Sequence, residues 1–407
     1  MRINSMPLII LFTIVLPARA STFFGLGDLP GGDHLSDYNA VSANGTVAVG
    51  YSNTHGNSDQ GIRWRLCDDI FEVPGCAAAV DVSGDGKVVV GNIGGGLPTR
   101  WSKADGATPL VDPTGEIEAG GSHSASFDGS IVVGTGDTDT GFKAFRWTAV
   151  TGMASLGDFP GGDTHSQGRG VSHDGTVIVG WGTSDLGRRA FRWTSSTGMA
   201  ELGPLPVGVT LTQAEAVSGD GLVAVGRMES ASGTEAFRWT SAGGIAGLGD
   251  LPGGPFFSWA WSTSMDGSVI VGYSDSSRGR SAFIWTEADG MRELQDVLSN
   301  DYGLDLMDWH LEVAFGISAD GNAIVGRGLN PQGEIEGWIA YLNCLPGDAN
   351  GDDKVDGLDL GPFAQALLDP GNVDSTTICT FDLNRDESID LTDIPMVVEL
   401  LICDCDS

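Results

Sequence analysis

The sequence is poor in basic residues: 21 Lys and Arg stand against 54 Asp and Glu, and the formal net charge is −33. This charge argues against nucleic acids and anionic membranes as partners, because their phosphates would repel the protein surface. Catalytic signatures are also missing. The chain contains no nucleophile elbow, no H-E-x-x-H helix and no phosphate-binding glycine loop. Without these signatures catalysis is hard to support.

Long hydrophobic runs are absent after residue 20. Before it, Arg2 precedes an apolar run at 6–16, and the segment 18–20 has the small residues of a signal-peptidase site. The apolar run is too short to span a bilayer. We therefore predict that residues 1–20 are a signal peptide, that the mature chain begins at Ser21, and that the protein is secreted without a membrane span.

Cysteine is scarce, with six residues in 407. In an exported protein an even number of cysteines favours disulfides. Cys67 and Cys76 are a natural pair by proximity. The other four allow three pairings, and the sequence does not choose between them: Cys344, Cys379, Cys403 and Cys405. No cysteine lies near a histidine at a zinc-binding spacing.

Glycine, with 62 residues, is abundant, and much of it belongs to a repeat. The clearest copies carry A-F-R-W-T, L-G-x-L-P, S-x-D-G and V-x-V-G motifs over residues 190–226 and 236–272. The glycine that ends each V-x-V-G run or its equivalent recurs at intervals of 41 to 54 residues, at Gly50, Gly91, Gly134, Gly180, Gly226, Gly272 and Gly326. A period of about 46 residues predicts a repeat architecture.

Each unit contains four short strand candidates. In the fifth unit they are residues 214–218, 222–225, 236–240 and 245–248, with a polar loop at 230–234. Runs such as Val-Ile-Val at 177–179 lack polar alternation, which is typical of strands covered on both faces. Four strands per unit predict an all-β seven-bladed β-propeller over residues 21–343.

The two ends of the repeat region complement each other. A lone fourth-strand motif at 23–32 opens it, and a lone third strand at 337–342 ends it. We expect the first to complete the last blade, an arrangement that resembles the closure of WD-repeat propellers. The motifs L-G-D-L-P-G-G and A-F-R-W resemble the extracellular HAF-repeat family over about residues 23–342. That resemblance implies export and a propeller-like fold, and no particular chemistry.

Residues that break the repeat are the candidates for a ligand site. The aspartates of the S-x-D-G turns recur and are predicted to be structural. Aromatic rings can stack on sugars, and unrepeated aromatic and histidine side chains precede or enter two inner strands: Phe256, Phe257, Trp259, Trp261, Trp309 and His310. The alternative is that these rings fill wedges between blades. Unrepeated acids such as Glu215 exist, but no catalytic pair stands out.

After residue 343 two acidic 12-residue segments appear. Oxygen ligands at positions 1, 3, 5, 9 and 12, with a backbone carbonyl at position 7, are typical of a calcium-binding EF-hand-type loop. The first loop supplies Asp348, Asn350, Asp352, Lys354, Asp356 and Asp359. The second supplies Asp382, Asn384, Asp386, Ser388, Asp390 and Asp393. We predict two bound calcium ions.

Each loop ends in Asp and is followed by a single helix, with no helix before it. This pattern resembles the dockerin type I module and covers residues 344–407. The resemblance implies attachment to a cohesin-like protein or a cell-surface scaffold. Two features depart from it: position 6 holds Asp353 and Glu387 in place of glycine, and only Thr392 offers a hydroxyl at the usual recognition positions.

The sequence therefore predicts a secreted, non-catalytic propeller that binds a glycan, such as a polysaccharide, or a protein ligand. The dockerin-like module would attach it to its partner. One alternative is a secreted carbohydrate-active enzyme, a glycoside hydrolase or lyase, anchored in the same way. A structural cell-surface repeat protein is the other. A pair of unrepeated carboxylates near Trp259 and Trp261 would favour the enzyme.

Overall fold

The computed structural model describes residues 21–54, 58–66, 70–94, 96–117, 119–343, 345–348, 355, 358–369, 380–383 and 389–401. Most of this part of the chain is β-structure, as predicted. Antiparallel hairpins follow one another, so that strands adjacent in sequence are adjacent in the sheets. In the described ranges no helix is both long and apolar enough to cross a membrane.

Four four-stranded sheets follow in chain order. The first contains β2 (Ser36–Val41), β3 (Val47–Thr54), β4 (Ser58–Arg65) and β5 (Phe71–Glu72). The second contains β6 (Ala78–Val82), β7 (Val88–Ile93), β8 (Leu97–Ser102) and β9 (Gly106–Pro109). The third contains β10 (Ala119–Ala125), β11 (Ile131–Thr138), β12 (Gly141–Thr148) and β13 (Gly152–Ser155). The fourth contains β14 (Ser166–Val171), β15 (Ile178–Ser184), β16 (Gly187–Thr194) and β17 (Gly198–Glu201).

The next eight strands form two further four-stranded ladders. One contains β18 (Val209–Val217), β19 (Val223–Ser230), β20 (Gly233–Thr240) and β21 (Gly244–Gly247). The other contains β22 (Gly253–Thr263), β23 (Val269–Ser276), β24 (Gly279–Thr286) and β25 (Gly290–Glu293). A single parallel pair, Thr234 with Phe257, joins them into one eight-stranded sheet. The last sheet contains β26 (His310–Ile317), β27 (Ala323–Leu329), β28 (Ile335–Tyr341) and β1 (Thr22–Gly25).

The second and third strands of the fifth unit are longer than the sequence predicts. The expected polar loop at 230–234 is a tight hairpin, in which Ser230 pairs with Gly233. Gly233 has a φ of 133°, which a residue with a Cβ rarely adopts. The hairpin between β11 and β12 uses Gly141 in the same way.

The S-x-D-G turns hold the inner hairpins together. In the fourth unit the Ser172 hydroxyl donates to Asp174 over 2.7 Å and accepts the N–H of Val177 over 3.0 Å. Hydrogen bonds from Ser172 and Thr176 lower the pKa of Asp174. The same serine-to-aspartate bond occurs in the other units, with Asn44 in the first. The recurring carboxylates are therefore structural, as predicted.

Backbone hydrogen bonds connect these turns into a closed circuit. Ala43 N–H donates to the Gly84 carbonyl over 3.0 Å, and each turn bonds the next until Ala319 N–H returns to the Ala43 carbonyl over 3.0 Å. Seven turns take part: 42–45, 83–86, 126–129, 172–175, 218–221, 264–267 and 318–321. Recurring arginines reinforce them; the Arg100 guanidinium, for example, donates to the Gly129 carbonyl over 3.1 Å.

Strand β1 completes the last sheet. It pairs antiparallel with β28, from Thr22 opposite Tyr341 to Gly25 opposite Trp338. Phe23 packs edge-on against Trp309 with ring centroids 5.4 Å apart. The N-terminal segment therefore occupies the place of a fourth strand, as predicted from its sequence motif.

Two regions lie outside the repeat pattern. Helix α1 (Leu294–Asn300) occupies the longest interval between repeats, and its buried Leu294 and Leu298 join the core of the last sheet. The C-terminal region contains α2 (Leu360–Leu368) and α3 (Ile394–Leu401). Its small core centres on Phe363 and Phe381, with ring centroids 4.7 Å apart.

The expected Cys67–Cys76 disulfide is not formed. Cys76 is a buried free thiol whose Sγ donates to the Ala78 carbonyl over 3.1 Å. Its side chain points into the core with Val73 and Ala79, and burial raises the pKa of the thiol to about 11. Cys67 and the four C-terminal cysteines lie outside the described residues.

Candidate functional site

The repeated V-x-V-G glycine lies beside a β-bulge in the innermost strand of each unit. A Cβ on any of these seven glycines would overlap a carbonyl oxygen of the neighbouring inner strand. Directly after that contact the inner strand contains one extra residue, as between Ala214 and Ala216 opposite β19. Bulges re-aim side chains and are common at functional sites. Every unit therefore offers one bulged side chain at an equivalent place.

The bulged residues surround a central cavity of about 540 Å³. This volume lies in the range of about 300–1,000 Å³ that is typical of small-ligand sites. The seven positions are equivalent in the fold but chemically different: Asn39, Val80, His123, Arg169, Glu215, Trp261 and Phe315. The repeat thus holds its framework constant and varies the residues that face the cavity.

Three successive bulge residues form a charged network. Arg169 Nε donates to the Glu215 carboxylate over 2.7 Å, and its NH1 group lies 2.8 Å from His123 Nδ1. An arginine cannot accept a hydrogen bond, so Nδ1 is the acceptor and the imidazole proton is on Nε2. Burial, with the charge of Arg169, lowers the pKa of His123 well below its usual range. His123 is therefore neutral near pH 7.

Aromatic rings and arginines cluster beside the other bulge residues. Trp259 stacks on Trp261 with centroids 4.7 Å apart, and Phe315 meets Trp261 edge-on at 5.6 Å. The Arg227 guanidinium also lies over the Trp259 ring, 3.9 Å from its centroid. Trp259 thus contacts both Trp261 and Arg227, and this ring helps to hold Arg227 in place.

The other predicted ligand residues are placed differently. Phe257 stacks on Tyr273 at 5.5 Å, whereas Phe256 is 37% exposed. His310 is half-buried at the start of β26. Trp309 is only 6% exposed and packs in the core with α1 and Phe23, because the inserted helix covers it. Trp309 is therefore a core residue, as the wedge-filling alternative expects.

Two further carboxylates lie near the cavity. Asp81 lines it, next to the bulge residue Val80, and burial raises the pKa of this carboxyl to about 6 against hydrogen bonds that include one from Ala125 N–H. Asp37 accepts a 3.0 Å hydrogen bond from Arg327. Burial raises the pKa of Asp37 to about 6, although Arg327 opposes the shift.

Sequence inspection missed most of this site. It selected Trp261 for its unusual side chain and noted Glu215 as unrepeated, but it did not single out His123, Arg169 or Asp81. Aligning the units on the serine of S-x-D-G gives the signal: the column three residues earlier differs in every unit. A column in which every unit carries a different side chain is what a ligand-facing position would show.

The C-terminal loops are described only in part. Asp348 and Asp359, the first and last predicted ligands of loop one, are 6% and 0% exposed. Asp382 and Asp393 in loop two are 5% and 0% exposed, and Asp390 is exposed. Buried carboxylates at both ends of each loop, in an oxygen-rich sequence, fit calcium. The remaining predicted ligands lie outside the described residues: Asn350, Asp352, Lys354, Asp356, Asn384, Asp386 and Ser388.

Comparison with known proteins defines two parts. Residues 346–402 match the dockerin type I domain, and such domains bind calcium. The fold is similar to that of oligogalacturonate lyase from Vibrio parahaemolyticus, with a TM-score of 0.52 and 10% identity over 79% of this chain and 96% of that one. An oligogalacturonate lyase in complex with manganese gives 0.50 and 11% over the same shares. No curated protein sequence matches the chain.

At such identities the structural likeness concerns the fold alone. It shows an all-β, propeller-like fold for the repeat region. The chain is thus a propeller-like protein that carries a dockerin type I domain near its C-terminus. In the described residues no group of three His, Cys, Asp or Glu side chains is arranged to hold a metal.

Proposed function

We propose that the protein is a secreted, non-catalytic, seven-bladed propeller whose central cavity binds a carbohydrate. The observation that carries the proposal is the ring of seven different bulge residues around a cavity of about 540 Å³. Mixed aromatic, charged and amide side chains suit a sugar, which has both apolar faces and hydroxyl groups. A purely structural ring would not need seven different side chains at equivalent positions.

The same proposal covers the remaining architecture. Residues 1–20 are a signal peptide, 21–343 form the HAF-type propeller, and 344–407 form the dockerin module. The closed circuit of seven hydrogen-bonded turns supports seven blades. In the module two calcium ions hold the two loops, and the folded module attaches the propeller to a cohesin-like protein or cell-surface scaffold.

Trp261→Ala is expected to weaken glycan binding about tenfold or more, because truncating a central aromatic contact commonly removes that much affinity. The parent protein is screened on an array of plant and microbial polysaccharides, and hits are measured by isothermal titration calorimetry. Phe71→Ala removes a ring of 42% exposure on the outermost strand β5 and is the matched control. Equal affinities of the parent and Trp261→Ala for every hit would contradict a cavity site.

Catalysis on a glycan is a second candidate function. One observation favours it: Asp81 and Glu215, both unrepeated, line the same cavity as the neutral imidazole of His123. Glu215 is held by Arg169. Because burial raises the pKa of Asp81 to about 6, this carboxyl could serve as a general acid below that pH.

If catalysis occurs, its rate should fall as pH rises through about 6, since Asp81 then loses its proton. Asp81→Asn should abolish the activity. Array hits are incubated with the parent at pH 5 and pH 8, and products are followed by chromatography. Shortened products from the parent, and none from Asp81→Asn, would establish the enzyme. Intact glycans at both pH values would exclude catalysis on these glycans and leave binding as the proposed function.

A further inference from the structure

Three arginines are stacked on aromatic rings, and one of these rings, Trp259, itself stacks on the cavity-lining Trp261. The Arg188 guanidinium lies 4.0 Å from the ring centroid of Trp181, and that of Arg280 lies 4.8 Å from the centroid of Tyr273. With Arg227 on Trp259, they come from the fourth, fifth and sixth units in succession. We call Arg188, Arg227 and Arg280 the arginine layer.

Two members of this layer, Arg188 and Arg227, are close enough to repel each other. Burial lowers the pKa of Arg188 and the charge of Arg227 lowers it further, whereas the charges of Glu229 and Glu215 oppose the shift. The charges of Arg280 and Arg227 both act on Tyr273, which links the second and third members. Aromatic stacking stabilises each guanidinium in this crowded place through cation–π attraction.

Direct ion pairs to this layer are also missing among the described residues. In the described part of the chain, no carboxylate lies within 4.0 Å of any of the three guanidinium groups, whereas Arg169 and Arg327 form ion pairs with Glu215 and Asp37. This is unexpected in a protein of net charge −33. The Arg227 Nε donates instead to the neutral Gln213 amide over 2.6 Å.

A stacked guanidinium uses its flat face and keeps N–H groups at its edge for a ligand. Those groups match the paired oxygens of a carboxylate or a sulfate, which is why arginine is favoured for such anions. We infer that the cavity binds an anionic saccharide, bearing carboxylate or sulfate groups, and that the arginine layer recognises its charge.

This inference rests on the proposed function and gives the ligand its chemical class. The test titrates the full chain with three oligosaccharides of equal length: an oligouronate, a sulfated oligosaccharide and a neutral oligoglucoside. At least one acidic probe should bind at least tenfold more tightly than the neutral one. Raising the NaCl concentration should weaken that binding, because salt screens the attraction.

Arg227→Gln should reduce affinity for the preferred acidic probe about tenfold or more, since a hydrogen bond to an ionised group is lost. Arg227→Lys keeps the charge but not the planar fork of donors. Its affinity for the acidic probe should lie between those of the parent and Arg227→Gln. The matched control is Arg292→Gln, which removes one positive charge from a surface pair with Asp301. Unchanged melting temperatures would show that the variants remain folded.

The outcomes distinguish recognition of an anionic saccharide from carbohydrate binding in general. Preference for an acidic probe, lost in Arg227→Gln and kept in Arg292→Gln, supports the inference, and the better acidic probe identifies carboxylate or sulfate. Equal binding of acidic and neutral probes, or an unchanged Arg227→Gln, overturns the inference and leaves carbohydrate binding intact. Failure of all three probes, together with no hit on the glycan array, overturns both.

Discussion

Deleting residues 21–26 from the mature chain is expected to destabilise the propeller more than any substitution proposed above. The deletion removes β1, and with it the four residue pairs between Thr22–Gly25 and β28. It also removes the buried Leu26 and the half-buried Phe23 and Phe24. Loss of these apolar contacts costs about 5 kcal/mol. The open edge of β28 would then be free to pair with other chains.

The measurement combines thermal unfolding with size-exclusion chromatography. We expect a lower melting temperature and a shift from monomer to aggregate. Phe23→Ala keeps the backbone pairs and should show an intermediate loss of stability, without aggregation. Val207→Ala, at a fully exposed residue, should match the parent. A truncated chain with the melting temperature and solubility of the parent would show that β1 does not hold the last sheet closed.

The strand Thr22–Gly25 also shows why so much of the fold was predictable. In a repeat the same strand and turn pattern is seen several times, so each prediction is supported by every copy. A lone fourth-strand motif at one end and a lone third-strand motif at the other predict that the two strands pair. The S-x-D-G turns were predictable for a similar reason. Their serine and aspartate act within five residues of chain, as the hydrogen bonds of Ser172 and Asp174 show.

The features that sequence reasoning missed depend on contacts between distant residues. Trp309 resembles an exposed loop aromatic until α1 is known to cover it. Trp259 resembles a sugar platform until Arg227, from the neighbouring unit, is seen on its face. The bulge residues were missed for another reason. The bulge lies next to the close approach of two strands at the V-x-V-G glycine, and periodicity alone does not reveal which residue it turns inward.

Removing calcium is expected to unfold the C-terminal module while leaving the propeller folded. Residues 344–407 hold thirteen Asp and two Glu against one Lys and one Arg, a formal charge of 2 − 15 = −13. The described core of this module is small and centres on Phe363, Phe381 and Val397. So few apolar residues do not offset chain entropy in a segment of this size, so metal binding must supply folding energy.

Trypsin provides a direct readout, because Lys354 and Arg385 are its only sites in residues 344–407 and both lie in the predicted calcium loops. Cleavage follows the open population, so calcium at about 100 times its dissociation constant should slow both cuts about 100-fold relative to chelator. Cleavage after Arg292, on the propeller, is the internal control and should not respond.

The effect should also be specific to each loop. Asp382→Ala removes the first predicted ligand of the second loop and should abolish calcium protection at Arg385. Asp369→Ala removes the same charge from an exposed position after α2 and should keep that protection, since it is not a predicted ligand. Mass spectrometry of the fragments of the full chain distinguishes the two cuts. Equal cleavage rates with calcium and with chelator would contradict calcium-driven folding. Loss of protection in both variants would show that the overall negative charge, and not ligand position, governs the response.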